Sequence, residues 1–586
     1  MIKQQWIGQA ERRTVLTWMQ AGLVAGYSSY FLWGIGPTTA TPSSNPPSEA
    51  VLNPELQIGI VQRFGEKPGD RLNLQASPGD RLTLTFKQGD SQRQTGGHRP
   101  QTFSVQSVEV TVARQPLNPP QVQERVVLSI HRSFESAETT ANQWQAQGIG
   151  VEIAQPKQWQ VWGQRDRYNT PQARRQLLQD LHNKGLTTAY LQQQTLTQTP
   201  QLSWRINGQP YQGNLLQIKS NNNLIQVNER RYAGHLRLQA NAYGTYTLVN
   251  QVPVETYLRG VVPYEIGASA PTAAIEAQAI LARTYALRNL RRFSIDNYEL
   301  CADTQCQVYR GLSETFPRVD AAIATTAGQV LTYGSELIDA LYSSTTGGVT
   351  AAFEDVWEGE ARPYLRPVVD TTAPQVWDLQ RRPLTEETNL RDFLQLRQGF
   401  NEETWRLFRW QQFGSLTELN RDLRDFLTQK QSPLKTFQTI QRLQVLERAQ
   451  SGRVQKLQVS TDQGDIILTK DEILRCFYAP NSLLFYLQPR SKNGTLEGYE
   501  FIGGGFGHGV GLSQTGSYHL ADLGWSAGQI LDFYYPNTKL QPLHSRLIFW
   551  QDPRALAARA ETQLDRPQWT FFGWPIFNWS LFGFKF

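Results

Sequence analysis

Four segments in the first part of the chain alternate apolar and polar residues, and short turns separate them. The segments are GIVQRF, RLNLQA, RLTLTF and VQSVEVTVA, and the turns are PGD, PGD and QGD. A period of two places every second side chain on one face of a strand, whereas a helix has a period of 3.6. This pattern predicts a β-rich region over residues 56–200, and Gln201 to Val254 is strand-rich in the same way.

Length and composition exclude several classes of protein. The chain has 586 residues, enough for about three domains with buried cores. Its three cysteines are too few for a disulfide scaffold or a four-cysteine zinc module. A net charge of +6, from 57 basic and 51 acidic side chains, is too dilute to indicate nucleic acid binding. We therefore expect a large globular protein with no nucleic acid partner.

An uncharged stretch long enough to cross a bilayer lies near the N-terminus. Residues 14–36 are TVLTWMQAGLVAGYSSYFLWGIG, and Lys3, Arg12 and Arg13 precede them. Because about 20 apolar residues cross a membrane and a positive flank stays inside, residues 1–13 are expected in the cytoplasm and the rest outside it. A linker rich in proline, serine and threonine follows over residues 37–55. We expect an anchor in the cytoplasmic membrane, and a cleaved signal peptide is the alternative.

Residues 125–168 predict a strand, a helix from about Glu135 to Gln147 and two further strands. This order resembles a SPOR-like peptidoglycan-binding module, in which a β-α-β unit is followed by more strands. The resemblance implies glycan binding, and a plain scaffold is the alternative. Aromatic faces stack on sugar rings, so we expect such contacts from Trp159, Trp162 and Trp357.

Two later segments have different patterns. From Pro374 to Gln441, Leu, Phe and Trp recur at helical spacing in NLRDFLQLRQGF, EETWRLFRWQQF and LTELNRDLRDFL, which predicts a helical insert. Beyond it, SGRVQKLQVSTDQGDIILTKDEILR predicts two strands and a short helix. Residues 548–586 end in PQWTFFGWPIFNWSLFGFKF, an aromatic tail expected at a membrane interface or in a groove of the folded body.

The segment from Val252 to Leu290 contains a candidate general acid. Glu265 lies between Tyr264 and Ile266, and an apolar setting raises the pKa of a carboxyl group. Most glutamates beside apolar residues point to solvent, so this observation alone is weak.

A helix is predicted after Glu265, with Pro271 in its first turn and its end near Arg292. On this helix Glu276 and Arg283 lie on one face and can pair.

Two further features indicate chemistry. Cys301 and Cys306 have four residues between them in LCADTQCQVYRG, so a disulfide or a packed thiol pair is favoured over half of a metal site. Glycine-rich runs around Gly347 and His508 are typical of cleft walls, because glycine lets the backbone approach a ligand. Neither run contains GxxxxGK[ST], GxGxxG or GxSxG, and His508 is either structural or part of a cleft.

A series of motifs between residues 201 and 547 resembles, in order, the SpoIID/LytB family. The motifs are VETYLRGVVPYEI, AAIEAQAILARTYAL, CQVYRG, YSSTTGG, DVW, PYL, GGGFGHGVGLSQTGSYHLA and ILDFYYP. We therefore expect a multidomain α+β protein, in which β-rich N-terminal modules precede a mixed α+β SpoIID-like domain with a helical insert. The resemblance implies a lytic transglycosylase that acts on glycan strands without stem peptides, as in SpoIID-type members. LytB-type members, named as enhancers of a cell-wall amidase, imply a non-catalytic glycan-binding protein as the alternative.

The resemblance also implies roles for residues. Glu265 matches the catalytic glutamate of the family, which protonates the bond between N-acetylmuramic acid and N-acetylglucosamine, with formation of a 1,6-anhydro ring. Substrate-binding candidates from matching motifs are Arg283, Tyr285, Ser343, Ser344, His508 and Gln514. Some members hold zinc near CQVY, but Gln305 stands here where a histidine is expected, so we predict no zinc and no cofactor. The expected partners are peptidoglycan strands, the membrane and, in the alternative, an amidase.

Overall fold

The structure is a computed structural model of the chain, and it describes residues 52–87, 100–430 and 432–547. The expected cytoplasmic segment 1–13, the membrane segment 14–36, nearly all of the 37–55 linker and the tail 548–586 lie outside these residues. Within the described ranges, no helix is both long and apolar enough to span a membrane. The anchor and the role of the tail therefore stay predictions.

The described residues contain many strands and a smaller set of helices, which confirms the predicted multidomain α+β class. The strands are β1 Glu55–Phe64, β2 Arg71–Ala76, β3 Leu82–Phe86, β4 Gln101–Val105, β5 Ser107–His131, β6 Val151–Ala154, β7 Trp159–Gly163, β8 Tyr190–Ile206, β9 Gln209–Gly213, β10 Leu215–Ser220, β11 Leu224–Val227, β12 Arg230–Ala233, β13 His235–Ala240, β14 Tyr246–Pro253, β15 Leu300–Cys301, β16 Gln329–Tyr333, β17 Glu336–Leu337, β18 Tyr342–Ser343, β19 Trp410–Ser415, β20 Ile440–Arg448, β21 Val454–Thr461, β22 Gly464–Thr469, β23 Phe485–Lys492, β24 Thr495–Gly503, β25 Leu512–Ser513 and β26 Lys539–Pro542. The α-helices are α1 Phe134–Ala146, α2 Pro171–Asn183, α3 Val254–Arg259, α4 Thr272–Arg288, α5 Pro317–Thr325, α6 Glu387–Gln395, α7 Leu416–Gln429, α8 Glu472–Cys476, α9 Gln514–Asp522 and α10 Ala527–Tyr534. A π-helical turn, Pro263–Gly267, lies between α3 and α4.

Strands from both sides of residue 200 share the sheets of the β-rich region. In a sheet with the order β15-β1-β14-β13-β10-β3-β4, β1 pairs with β14 and β3 pairs with β10. The alternation is as predicted, since β2 buries every second residue, and Leu56, Leu84 and Leu238 belong to one core. The predicted division at residue 200 is wrong, because alternation determines which face of a strand is buried but not which strand lies beside it.

The predicted SPOR-like module has the expected strand, helix, strand, strand order, followed by a second helix and a fourth strand. Its elements follow in the order β5, α1, β6, β7, α2 and β8. The four strands form an antiparallel sheet in the order β8-β5-β7-β6. This is the ferredoxin-like β-α-β-β-α-β arrangement. Strands β5 and β8 are long enough to continue into the β-rich region, where β5 also pairs with β2. Glycan binding by this module stays a prediction, because many functions share this topology.

The tryptophans of strand β7 are covered on both faces of that sheet. Trp159 packs against Phe134 and Phe293, with ring centroids 5.3 and 5.2 Å away. Trp162 lies on the other face, 6.0 Å from the ring of Tyr243. The two side chains are 4% and 0% exposed. The expectation that they stack on sugars is therefore wrong, since no ring face is open to a ligand.

Helix α4 lies in the middle of the SpoIID-like region and is buried on nearly every side. It ends at Arg288, one turn earlier than predicted. The small side chains of Ala279, Ala282 and Ala286 allow close approach by α5, β16 and α10. Because α4 contacts neighbours all round, its polar residues Gln278, Arg283 and Thr284 are buried together with its apolar ones.

The predicted helical insert, residues 374–441, is only partly helical. Helices α6 and α7 are present, but EETWRLFRWQQF between them forms turns and strand β19, which pairs with β24. The apolar residues of this segment enter two cores, because Phe408 packs with Phe400 in one and Trp410 lies with Phe501 in the other. Two cores require side chains on opposite sides of the segment, which a single amphipathic helix does not supply. The strands and short helix predicted after the insert are confirmed as β21, β22 and α8.

Candidate functional site

Glu265 lies in the π-helical turn between α3 and α4. Pro263 begins this turn and Gly267, with a φ of +86°, ends it. Proline suits a helix start because the missing N–H has no helical acceptor there, and glycine adopts a positive φ without strain. Isolated π-helical turns are rare and often occur at functional sites. This turn directs Glu265 towards the extended segment 307–310.

The side chain of Glu265 is half-buried, and its carboxyl group accepts two hydrogen bonds. Its Oε1 atom accepts one from the main-chain N–H of Val308 at 2.7 Å, and the hydroxyl group of Tyr342 donates another. Tyr257 and Tyr285 lie close enough to interact with its charge. Burial raises the pKa of Glu265 to about 7, while the two hydrogen bonds favour the ionised form and oppose that rise. Near neutral pH this group is able both to donate and to accept a proton.

A short chain of hydrogen bonds orients Tyr342 towards Glu265. The side chain of Gln307 accepts from the Tyr257 hydroxyl group at 3.2 Å and donates to Ala282 O at 3.4 Å. The same amide nitrogen donates to the Tyr342 hydroxyl oxygen at 3.2 Å. Because that oxygen accepts from Gln307, the Tyr342 proton is left for the carboxyl group. Sequence reasoning missed both residues, although each lies in a recognised motif, CQVYRG or YSSTTGG.

The segment that carries Gln307 and Val308 follows a disulfide. Cys301 and Cys306 are bonded, with their Cα atoms 5.6 Å apart, and Cys301 lies in strand β15 beside β1. The favoured disulfide is thus confirmed. It closes a short loop directly before Gln307 and thereby limits the positions available to Val308. The absence of zinc and of a cofactor stays a prediction.

The second glycine-rich run contacts the main chain of Glu265. Gln514 donates from Nε2 to the main-chain carbonyl of Glu265 at 3.0 Å. Strands β18 and β25 pair in parallel, and Ser344 O accepts hydrogen bonds from Thr515 N and Oγ1 at 3.2 and 3.1 Å. The hydroxyl group of Ser343 is buried and has no hydrogen-bond partner among the described residues. The structure thus brings YSSTTGG and GLSQTG together at Glu265, while contact of their residues with substrate stays a prediction.

His508 supports the main chain of Tyr342. Its Nδ1 atom accepts from Val510 N at 3.0 Å, and its ring donates to the main chain of Tyr342. Its ring also packs against that of Trp357, with centroids 5.1 Å apart. Burial and the nearby charge of Arg453 lower the pKa of His508 to about 4, so the ring is neutral at neutral pH. Both nitrogens are engaged, which gives His508 a supporting position in the structure.

Comparisons with known proteins find a family match around Glu265. Residues 242–333, which contain Glu265, Cys301, Cys306 and Val308, match the family described as Stage II sporulation protein, SpoIID. This part of the chain is similar to SpoIID proteins. The resemblance to the SpoIID/LytB family is therefore confirmed, and residues 351–511 match a domain of unknown function, DUF8618.

Similar proteins include members of both types. The chain is 29% identical over 359 residues to the amidase enhancer of Bacillus subtilis, which covers 56% of this chain and 47% of that protein. It is 26% identical over 307 residues to stage II sporulation protein D of the same organism, covering 50% of this chain and 75% of that protein. An uncharacterized protein of Brachyspira hyodysenteriae is 28% identical over 303 residues, covering 50% and 67%. The chain thus spans about half the length of the amidase enhancer that it matches.

Two predicted substrate-binding residues in the segment that matches SpoIID are buried away from solvent. Arg283 has no exposed surface and pairs with Glu255 of α3 through two N···O distances of 2.7 Å. The predicted pair of Arg283 with Glu276 is wrong. The two residues are seven apart on α4, which corresponds to about 10 Å along the helix, whereas Glu255 of α3 lies beside Arg283. Tyr285 is 6% exposed and accepts from Arg292 Nη1 at 2.6 Å. Both side chains thus support α4 in this structure, and their contact with substrate stays a prediction.

Proposed function

We propose that this protein is a peptidoglycan lytic transglycosylase that cleaves the bond between N-acetylmuramic acid and N-acetylglucosamine in peptide-poor glycan strands. The observation that carries the proposal is the Glu265 carboxyl group, which occupies the position of the family's catalytic glutamate. Its pKa of about 7, caused mainly by burial, keeps a large fraction protonated at neutral pH. A relative named stage II sporulation protein D supports a role in the cell envelope.

The proposed reaction uses one carboxyl group twice. Glu265 first donates its proton to the glycosidic oxygen as the bond from that oxygen to C1 of the muramic residue breaks. The carboxylate then takes the proton from the C6 hydroxyl group of the same residue, whose oxygen bonds to C1 and closes the 1,6-anhydro ring. Glycosidases that use water or an enzyme nucleophile need a second carboxylate, whereas here the nucleophile belongs to the substrate. Glu265 returns to its protonated form, so the cycle is balanced.

The hydrogen bonds at Glu265 fit both steps. The Val308 N–H and the Tyr342 hydroxyl group stabilise the carboxylate that exists between the two proton transfers. Burial opposes that charge and favours return of the proton to Glu265. The balance gives a group that exchanges its proton readily near neutral pH.

We further propose that the protein works outside the cytoplasm, held by residues 14–36. The Cys301–Cys306 disulfide supports this location, since disulfides persist in oxidising compartments.

The test is digestion of glycan strands by the full chain. Peptide-free strands are incubated with wild type and with Glu265→Gln, and the products are analysed by mass spectrometry. We expect 1,6-anhydromuramic ends from wild type and at least a hundredfold fewer from the variant, as expected for loss of a general acid. Equal product from the two proteins, or none from wild type, would overturn the proposal.

A second candidate is a non-catalytic glycan-binding protein that stimulates a cell-wall amidase. The relative named amidase enhancer favours it. In addition, the SPOR-like module has a groove of about 540 Å³ beside Tyr168, Gln176 and Lys184, well separated in sequence from Glu265. Such a groove with an aromatic wall and polar groups suits a sugar.

One amidase assay distinguishes the two candidates. Intact peptidoglycan is incubated with the amidase alone, with the amidase plus wild type, and with the amidase plus Glu265→Gln. Release of stem peptides is measured in each reaction. Equal stimulation by both proteins, lost in Tyr168→Ala, would favour the enhancer. No stimulation in any mixture would exclude it for that amidase.

A further inference from the structure

A single buried carboxylate from the 351–511 region holds the loop 345–348. Glu402 is only 1% exposed. Its oxygens accept five hydrogen bonds, from Thr345 Oγ1 (2.8 Å), Thr346 N (2.6 Å), Thr346 Oγ1 (2.9 Å), Gly348 N (2.9 Å) and Ser513 Oγ. A buried anion must be fully hydrogen-bonded, and five donors meet that need without water.

Two buried arginines of the same region bind the carbonyl groups of this loop. Arg409 donates to Gly347 O at 2.8 Å. Arg453 donates to Thr346 O at 3.0 Å and to Val349 O at 3.1 Å. The 351–511 region therefore satisfies both the donors and the acceptors of the loop with charged side chains.

Asp370 completes the surroundings of Glu402. It is fully buried, and burial together with the charge of Glu402 holds its pKa well above the usual range. It is therefore the protonated partner of the two, and it accepts hydrogen bonds from Asn401 Nδ2 and the Tyr534 hydroxyl group, both at 2.8 Å. Five donors converge on Glu402, as a buried carboxylate requires.

Two routes lead from Glu402 to Glu265. By the first, Ser513 binds Glu402 and is followed by Gln514, which donates to the main-chain carbonyl of Glu265. By the second, the loop 345–348 follows Tyr342, whose hydroxyl group donates to the Glu265 carboxyl group. Strand pairing between β18 and β25 joins the two routes. One anion thus fixes two of the segments that contact Glu265.

We propose that Glu402 is a positioning residue for Glu265 and that the region matching DUF8618 completes the active site of the SpoIID domain. The catalytic part of this inference rests on the proposed function. Sequence reasoning placed Glu402 within the predicted helical insert, residues 374–441, and gave it no role. Its position in EETWRLFRWQQF, among apolar residues that enter two cores, is the signal that was available.

Removal of the charge has a predictable effect on Glu265. Glutamine at position 402 replaces one carboxylate oxygen by an N–H₂ group, which cannot accept hydrogen bonds from the five donors. The loop 345–348 and Ser513 then lose their common acceptor and shift. The groups that face the Glu265 carboxyl group are Tyr257, Tyr285, Tyr342 and the N–H of Val308. Of these, Tyr342 depends on the loop, and its hydrogen bond favours the ionised carboxylate. Weakening that bond moves proton release by Glu265 to higher pH.

The test compares Glu402→Gln with Glu403→Gln in the full chain. Glu403 is the neighbouring, exposed glutamate, and it contacts Gly399 N and Phe400 N rather than the loop. We expect Glu402→Gln to lower kcat at least tenfold with KM unchanged, and to move the decline in rate at high pH upwards by about half a unit or more. Hydrogen exchange followed by mass spectrometry is expected to rise in residues 263–267, 342–348 and 512–516. Glu403→Gln is expected to match wild type in each measurement.

The inference is overturned if Glu402→Gln is folded, retains a rate within twofold of wild type and keeps wild-type exchange in residues 263–267. If Glu402→Gln does not fold, Ser513→Ala replaces it, because that variant removes one of the five donors. It is expected to lower kcat severalfold with the same direction of pH shift, and an unchanged kcat and pH profile would overturn the inference. If wild type cleaves no glycan, the proposed function fails, while the exchange measurement still tests whether Glu402 fixes the turn that carries Glu265.

Discussion

The main-chain N–H of Val308 donates a hydrogen bond of 2.7 Å to the carboxyl group of Glu265, across 43 residues of sequence. Val308 follows the disulfide-closed loop by two residues, and Glu265 lies in a π-helical turn. Neither element determines the proton affinity of Glu265 alone. Both act together: the π-helical turn places the carboxyl group where burial raises its pKa, and the N–H of Val308 donates a hydrogen bond that lowers it.

The buried carboxyl group makes stability depend on pH. The pKa of Glu265 rises from 4.5 to about 7 on folding, so between these values the folded chain binds more protons than the unfolded chain. Its contribution is present below pH 4.5 and is lost as the pH rises towards 7, at a cost of about 3 kcal/mol. We expect the unfolding free energy of Glu265→Gln, relative to wild type, to increase by about that amount from pH 4 to pH 8.

Urea unfolding at several pH values measures this difference. Glu229→Gln, at an exposed position, is the control and is expected to follow wild type. A Glu265→Gln curve that runs parallel to wild type from pH 4 to pH 8 would contradict an elevated pKa.

Tyr342→Phe removes a hydrogen bond that favours the ionised form of Glu265. A hydrogen bond to a charged group contributes about 1.5–3 kcal/mol, so the pKa of Glu265 is expected to rise by roughly one unit. The rate of glycan cleavage should then decline at higher pH than in wild type, with lower activity at its maximum. The pH profile measures this, with the exposed Tyr333→Phe as control. Identical profiles for the two variants would rule out the assigned role of Tyr342.

The disulfide can be counted and removed. The chain has three cysteines, of which Cys301 and Cys306 are bonded and Cys476 is free and buried. Denatured protein should show one reactive thiol before reduction and three afterwards. Replacement of Cys301 and Cys306 by alanine should lower the unfolding free energy by about 2 kcal/mol, since the closed loop is short. Three reactive thiols without reduction would contradict the bond.

Loss of Glu255 should be far more costly than loss of Glu276. Glu255→Gln leaves the fully buried guanidinium group of Arg283 without its anion, which costs about 3 kcal/mol or more. Glu276 is partly exposed and forms no ion pair in the described structure, so Glu276→Gln should change stability by about 0.5 kcal/mol or less. Denaturant unfolding of the two variants measures both. Similar losses of unfolding free energy in the two variants would support the pairing of Arg283 with Glu276 that helix spacing suggested.

Several features follow from local sequence pattern. Strand β2 buries every second residue as its alternation predicted, and the order of motifs identified Glu265 as the candidate catalytic residue. Cys301 and Cys306 are near in sequence, so their bond was within reach of the same reasoning. Periodicity and short spacing carry this information because they act within one segment.

Other features depend on segments that are far apart in the chain. Gln514 contacts Glu265 across 249 residues, and β1 pairs with β14 rather than with a strand of its own region. A periodic pattern states which side of an element is buried, but it does not name the neighbour on that side.

The sequence by itself thus determined the strands, the motif order and the glutamate, since each is written in adjacent residues. Only the tertiary structure decided that Tyr342 and Gln307 orient that glutamate, that Glu255 pairs with Arg283, and that Glu402 fixes two loops. The reason is that a buried charge or carboxyl group takes its properties from whatever surrounds it in space, and chain topology alone decides what that is.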